Sequence, residues 1–269
     1  MIPLTDTHSH LYAEEFDADR EEALARACEA GIERIYLPAI DSESHEALFA
    51  LCRQHPTLCR PMMGLHPTSI NDNPRWREEL ALVKRLLDIP PEGILPFCAV
   101  GEIGLDFYWS TDFQREQEEA FITQCRWAAA LDLPVVIHTR NAWERMGELL
   151  REEIARAEAQ GKRLRGVFHA FTEGVECYRV LRDCGFLFGI GGVVTFKKSP
   201  LAEAVREMEL EEMLLETDCP YLTPVPHRGT RNESAYVRFV CEKIAELKGL
   251  SPAEVGEATT KNARQLFEK

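Results

Sequence analysis

The chain has 269 residues, 45% hydrophobic and 28% charged. That composition excludes a disordered chain, and the length allows one large domain with a full core. Its 31 Lys and Arg stand against 45 Asp and Glu, a net charge of −14. A field of that sign repels nucleic acid at long range, so any handling of phosphates needs a local reversal of charge. No apolar run approaches the roughly 20 residues of a membrane span, and Met1-Ile2-Pro3-Leu4-Thr5-Asp6-Thr7 lacks the basic-then-apolar order of a secretory signal. The nine cysteines are odd in number and include no Cys-x-x-Cys, which speaks against a disulfide framework or a thiolate zinc site and for small core residues in a reducing cytoplasm.

Candidate strands fall at 2–6, 32–37, 61–65, 97–102, 133–138, 165–169, 186–190 and 213–217. Runs such as Pro134-Val135-Val136-Ile137 and Met213-Leu214-Leu215 are apolar on both faces, as parallel strands under helices must be. Between them the apolar residues recur at helical spacing: Trp76, Leu80, Val83 and Leu87; Trp143, Met146, Leu150 and Ile154; Tyr236, Val240, Ile244 and Leu247. Gly31, Gly161 and Gly249 stand where helices should end. Ser251-Pro252-Ala253-Glu254 reads as a capping box with Pro at the first helical position. Eight strand–helix units in about 250 residues predict an α/β fold, a (β/α)₈ TIM barrel forming a single domain over 1–269. An open doubly wound sheet is the alternative, but no G-x-G-x-x-G follows the first strand.

On this strand map the histidines are not scattered. His8 and His10 follow the first strand, His66 the third; His138 ends the fifth and His169 the sixth. Glu102 ends the fourth and Asp218 follows the eighth. All seven lie on the face where barrel active sites are built. Neutral imidazoles ligate borderline metals and carboxylates can bridge two cations. The set therefore points either to two ions bridged by Glu102 or to one ion with a weaker second site. Two divalent ions less two carboxylates leave a local charge of roughly +2, suited to a phosphate, and such ions make water nucleophilic near neutral pH. His45 and His55 read as ordinary surface or helix histidines.

Further residues fall on the same face. Arg140, Thr172, Lys197, Lys198, His227, Arg228 and Arg231 follow strands five to eight, and arginine suits bidentate phosphate contacts. Tyr108 and Trp109 are placed to stack on a base or sugar at the rim, or else to pack under a loop. Glu216 shares the parity of Asp218 and reads either as a residue that orients a ligand or as a buried barrel carboxylate, and Asp6, two before His8, can serve likewise.

The ordered motifs Asp6-Thr7-His8-Ser9-His10-Leu11, Gly64-Leu65-His66-Pro67, Gly101-Glu102-Ile103-Gly104-Leu105-Asp106-Phe107, Pro134-Val135-Val136-Ile137-His138, Phe168-His169-Ala170-Phe171-Thr172, Glu216-Thr217-Asp218-Cys219-Pro220 and Arg228-Gly229-Thr230-Arg231-Asn232-Glu233 resemble the TatD family of metal-dependent hydrolases, within the amidohydrolase-like barrels, over nearly the whole chain. The resemblance implies a dinuclear site with His8, His10, Glu102, His138, His169 and Asp218 as ligands and Glu102 bridging. It implies His66 as a substrate-phosphate contact. It also implies Mg²⁺-dependent deoxyribonuclease activity, chiefly 3′-to-5′ on single strands. The imidazole-rich donor set points instead to Zn²⁺, Mn²⁺, Fe²⁺ or Ni²⁺, because Mg²⁺ prefers oxygen. Thr230 and Ser234 stand where the family usually has Lys and Pro, and Glu173 where Gly is common; none is a ligand position. The expectation is therefore hydrolysis of DNA phosphodiesters at single-stranded ends. Glu102, Asp218 and His66 are expected to be catalytic, and His66, Arg140, Arg228 and Arg231 to bind substrate. The rival is hydrolysis of a small amide, lactone or ester; the rival from outside enzymology is a metal-binding partner module. No membrane association and no particular protein partner is expected.

Overall fold

The computed structural model describes residues 2–268. Strands and helices alternate from the start: β1 (Leu4–Asp6), α1 (Arg20–Glu29), β2 (Ile32–Leu37), α2 (Ser42–Gln54), β3 (Cys59–Pro61), α3 (Trp76–Asp88), β4 (Val100–Asp106), α4 (Gln114–Leu131), β5 (Val135–Arg140), α5 (Trp143–Ala159), β6 (Gly166–Phe168), α6 (Val175–Arg182), β7 (Leu187–Ile190), α7 (Leu201–Glu207), β8 (Met213–Leu215), α8 (Val237–Lys248) and α9 (Pro252–Phe267). Every strand pairing is parallel, in the orders β1-β2-β3 and β4-β5-β6-β7-β8. Backbone bonds join the two runs at both seams. Cys98 N–H donates to Pro61 O at 3.1 Å and Met63 N–H to Ala99 O at 3.2 Å; Thr7 N–H donates to Leu215 O at 3.0 Å. A sheet joined on itself in this way is a (β/α)₈ TIM barrel.

The expected helix faces are the buried ones. Trp76, Leu80, Val83 and Leu87 all pack inward from α3, and Val240 and Ile244 from α8. Gly249 ends α8 at φ 67°, in the left-handed region that glycine enters without penalty. Ser251 Oγ accepts from Glu254 N–H and Glu254 Oε2 accepts from Ser251 N–H, so the capping box of α9 is complete. All nine cysteines are free thiols, six of them buried. No helix among the described residues is long and apolar enough to cross a membrane.

Strand boundaries differ from the sequence expectation. β3 is Cys59–Pro61, earlier than 61–65; β4 is Val100–Asp106, later than 97–102; β8 stops at Leu215. Apolar runs mark the buried barrel wall, whereas pairing decides where a ladder stops. Glu102 and His138 therefore lie inside their strands, and His169 and Asp218 lie just beyond theirs. His45, expected as a surface or helix residue, is on α2 but buried; His55 caps that helix and pairs with Glu21.

Side-chain alternation explains where the chemistry falls. A compact cluster draws Tyr36 from β2, Val136 from β5, Val167 from β6 and Leu214 from β8, with Met62 just after β3, and Ala263, Leu266 and Phe267 of α9 pack against it. The next positions of the same parity toward the strand C-termini are His138 and Arg140 after Val136, His169 after Val167, and Glu216 and Asp218 after Leu214. An apolar rung thus supports a polar one directly above it.

Candidate metal centre

Glu102 stands at the middle of the cluster and is buried. Its two oxygens face different groups. Oε2 lies 3.1 Å from His8 Nε2 and 3.8 Å from His10 Nε2. Oε1 lies 3.1 Å from His138 Nδ1, 3.3 Å from His66 Nε2 and 3.4 Å from His169 Nε2. Asp218 Oδ1 completes the first side, 3.5 Å from His10 Nε2 and 3.9 Å from both His8 Nε2 and His169 Nε2. Two of the possible metal-ligating groups are His8, His10 and Asp218, and His66, Glu102 and His138. All six sequence-expected ligands, and His66, converge here.

Outer hydrogen bonds decide which ring nitrogen offers a lone pair. His138 Nε2 is 2.9 Å from Asp106 Oδ2, so that nitrogen carries the proton and Nδ1 faces Glu102. His10 Nδ1 is 2.9 Å from the Tyr12 hydroxyl, which spends its own proton on Pro38 O at 2.7 Å; His10 Nε2 is thereby left free. His169 Nδ1 lies 3.2 Å from Glu216 Oε1, a charge contact without hydrogen-bond geometry, and its Nε2 lies toward the cluster. His66 is arranged the opposite way. Its Nδ1 accepts from Thr68 N–H at 3.2 Å, so Nε2 carries the proton and presents a donor. These bonds leave His138 Nδ1 and His10 Nε2 suited to a cation, and His66 suited to an anionic oxygen. His8 Nδ1 is buried without a hydrogen-bond partner, while its Nε2 points into the donor set. Convergent lone pairs, a central carboxylate and an orphaned imidazole nitrogen together suit divalent ions.

The electrostatics follow. Burial alone would raise the Glu102 carboxyl, but His66, His169 and His8 hold it well below the usual range. Asp218 is likewise held down, against its burial, by His10, His169 and His8. Burial would lower His169, yet Glu216, Glu102 and Asp218 push it up to about 10. His138 also rises, through Asp106 and Glu102, while burial lowers His8 and His66.

The supporting residues are built into the fold. Asp6 Oδ1 accepts from Thr217 N–H at 2.9 Å and Oδ2 from Thr217 Oγ1 at 2.7 Å, tying the end of β1 to the loop that carries Asp218. Its burial pushes its carboxyl up to about 7. Asn232 Nδ2 donates to Thr217 O at 2.8 Å and Tyr221 O at 2.6 Å, bracing that loop from the other side. Glu216 Oε1 accepts from Ala170 N–H at 2.6 Å. Gly189 makes this possible, since a Cβ there would lie 2.1 Å from Glu216 Oε2.

The expected rim cations divide. Arg140 lies over Tyr108, its guanidinium carbon 3.5 Å from the ring centroid, and Arg228 over Phe196 at 4.0 Å. Both are exposed and neither meets a carboxylate among the described residues. Arg231, expected to bind substrate, is instead fastened to Asp19 at 2.6 and 2.8 Å and to Glu15 O. Those donors are consumed, so Arg231 ties the loop after β8 to the segment before α1. Lys197 and Lys198 are exposed, and His227 stacks on Tyr236 at 4.3 Å. Sequence reasoning assigned no role to Asp106, Tyr12 or Thr68. Asp106 had a usable signal: it shares strand parity with Glu102 four residues earlier.

A TIM barrel with this constellation at its strand ends belongs to the metal-dependent hydrolases. More specifically, residues 5–268 match the family model for TatD-related DNases, and the chain is a member of that family. It is 39% identical over 266 residues to the uncharacterized metal-dependent hydrolase YabD of Bacillus subtilis, covering 98% of each chain. It is 32% identical over 270 residues to the 3′-5′ ssDNA/RNA exonuclease TatD of Salmonella typhimurium, again with 98% of each covered. Among solved structures, the TatD homologue YjjV of Escherichia coli superposes with a TM-score of 0.87 at 27% identity, over 99% of this chain and 98% of that one.

Proposed function

We propose that the chain, acting as one domain over residues 1–269, hydrolyses phosphodiester bonds of DNA at single-stranded ends, working inward from the 3′ terminus. The observation that carries this reading is the division of Glu102: each oxygen faces its own set of imidazoles, and Arg140, which ends β5, and Arg228, which follows β8, meet no carboxylate among the described residues. A relative covered over 98% of its length is named a 3′-5′ ssDNA/RNA exonuclease, which supports a single-stranded nucleic-acid substrate.

His8, His10 and Asp218 would hold one divalent ion, His138 and His169 the other, and Glu102 both. The donor chemistry favours Zn²⁺, Mn²⁺, Fe²⁺ or Ni²⁺ over Mg²⁺. When bound, such ions supply an activated water and stabilise charge on the attacking and leaving oxygens. The side chains do the rest. Asp218, ionised at neutral pH, accepts the water's proton at a carboxylate oxygen. His66 donates its Nε2–H to a non-bridging phosphate oxygen. Arg140 and Arg228 take neighbouring phosphates and locally offset the −14 of the whole chain. Arg231 has no part in this reading.

The test is a metal-titrated assay on 3′- and 5′-labelled single-stranded DNA and RNA, run beside a panel of small amides and lactones. Metal-dependent shortening from the 3′ end, abolished in Glu102→Ala and Asp218→Ala with folding intact, is the expected result. Activity confined to the amide or lactone panel overturns the reading.

A further inference from the structure

Among the described residues, eight large apolar side chains are exposed, and five of them (Tyr108, Trp109, Tyr221, Leu222 and Val225) lie in the loops that follow β4 and β8. Tyr221 packs against His10 with ring centroids 6.3 Å apart, whereas Tyr108 and Trp109 are tied to the cluster through Asp106 and stand beside a cation. β4 ends at Asp106, whose Oδ1 accepts from Tyr108 N–H at 3.0 Å while its Oδ2 holds His138. One carboxylate therefore sets both an imidazole of the metal centre and the start of an aromatic loop. Across the sheet Asp106 pairs with Arg140, and Phe107 N–H donates to Arg140 O at 2.9 Å. The Arg140 guanidinium covers one face of Tyr108 and reaches to 5.6 Å from the Trp109 centroid. The two rings meet edge to face, with centroids 4.9 Å apart. Trp109 is 68% exposed, so its indole is open to solvent beside an unpaired cation.

We propose that Trp109, with Tyr108 and Arg140, forms a subsite for the base and phosphate of the nucleotide next to the hydrolysed bond, with the base stacking on the Trp109 indole. The inference rests on the phosphodiester reading above and names the source of its preference for single strands. A base in a duplex has both faces stacked, whereas a frayed one offers a face to an aromatic ring without regard to sequence. Charge complementarity favours this occupant: the strongly acidic chain leaves Arg140 free of carboxylates where the loop meets the metal centre. The role of Tyr108 is positional, since the guanidinium already covers one of its faces and Trp109 carries the open surface.

The experiment uses the full, metal-supplemented chain on two single-stranded oligonucleotides, one ending in two ordinary nucleotides and one in two abasic residues. Wild type should show a KM about tenfold or more lower for the base-bearing strand, within the span of one base-on-aromatic stack. Trp109→Ala should raise that KM to the abasic value, leaving kcat and the abasic kinetics unchanged, and Trp109→Phe should restore most of the difference. An independent binding readout is indole fluorescence on titrating the base-bearing strand under chelator, with quenching expected in wild type and lost in Trp109→Phe. Equal KM values for the two strands in wild type, or a preference that survives Trp109→Ala, overturns the subsite while the nuclease reading stands. Wild type that cuts neither strand overturns both.

Discussion

Asp106→Asn is the perturbation that most directly exposes how the site is held. In the native chain Asp106 accepts twice, from His138 Nε2 at 2.9 Å and from Tyr108 N–H at 3.0 Å. Asparagine replaces one acceptor with an NH₂ donor. If that NH₂ faces His138, the imidazole must accept at Nε2 and carry its proton on Nδ1, the nitrogen 3.1 Å from Glu102 Oε1. No lone pair is then left for an ion. If the amide oxygen faces His138 instead, two donors meet at Tyr108. Loss of such an outer partner costs about 10- to 100-fold in metal affinity. At an ion concentration of about 100 times the wild-type Kd, binding stabilises wild type by about 2.7 kcal/mol and the variant by only about 1.4 to 0.4 kcal/mol. Thermal unfolding with and without Mn²⁺ or Zn²⁺, beside calorimetric titration, reads both quantities. An unchanged metal affinity in a folded Asp106→Asn variant would refute the tautomer argument.

Four other outcomes follow from the same geometry. His169, pushed up to about 10, carries a proton at neutral pH in the metal-free protein, so ion binding should release protons and tighten as pH rises; calorimetry in buffers of different ionisation enthalpy measures the release. Gly189→Ala drives a methyl into Glu216, which should cost about 1–3 kcal/mol of stability and weaken metal binding by loosening His169. Phe267→Ala empties the plug against Tyr36, whose ring lies 4.5 Å away, and should cost about 3–5 kcal/mol by chemical denaturation. Asp19 is lowered to about 2, chiefly by its hydrogen bond to Arg231. That stabilising pairing is complete above the unfolded carboxyl value and is lost as pH falls toward 2, so Asp19→Asn should flatten the acid limb of a Tm-against-pH curve.

The sequence was most readable where periodicity and parity operate within one element. The α3 face at residues 76, 80, 83 and 87 is buried throughout, and His8 and His10, just past the end of β1, both face Glu102. Glu216 was legible for the same reason and meets His169. What failed was whatever depends on a partner far along the chain. Arg231 resembled a free rim cation, yet its carboxylate, Asp19, lies 212 residues away in sequence. Which nitrogen of His138 is free depends on Asp106, 32 residues away on the neighbouring strand. Strand ends moved by a few residues because ladder pairing is set by the neighbouring strand. Membership of the TatD-related DNase family defines the hydrolase class; the proposed substrate rests on the rim, at Arg140 and Trp109.

The central claim is that six side chains from distant parts of the chain hold two cations astride Glu102. Anomalous diffraction from crystals soaked in Mn²⁺ or Zn²⁺ tests it directly. Two peaks are expected, one among His8, His10 and Asp218 and the other beside His138 and His169, each within ligand distance of a different Glu102 oxygen. Peaks only elsewhere on the surface, or none in a well-ordered site, would contradict it.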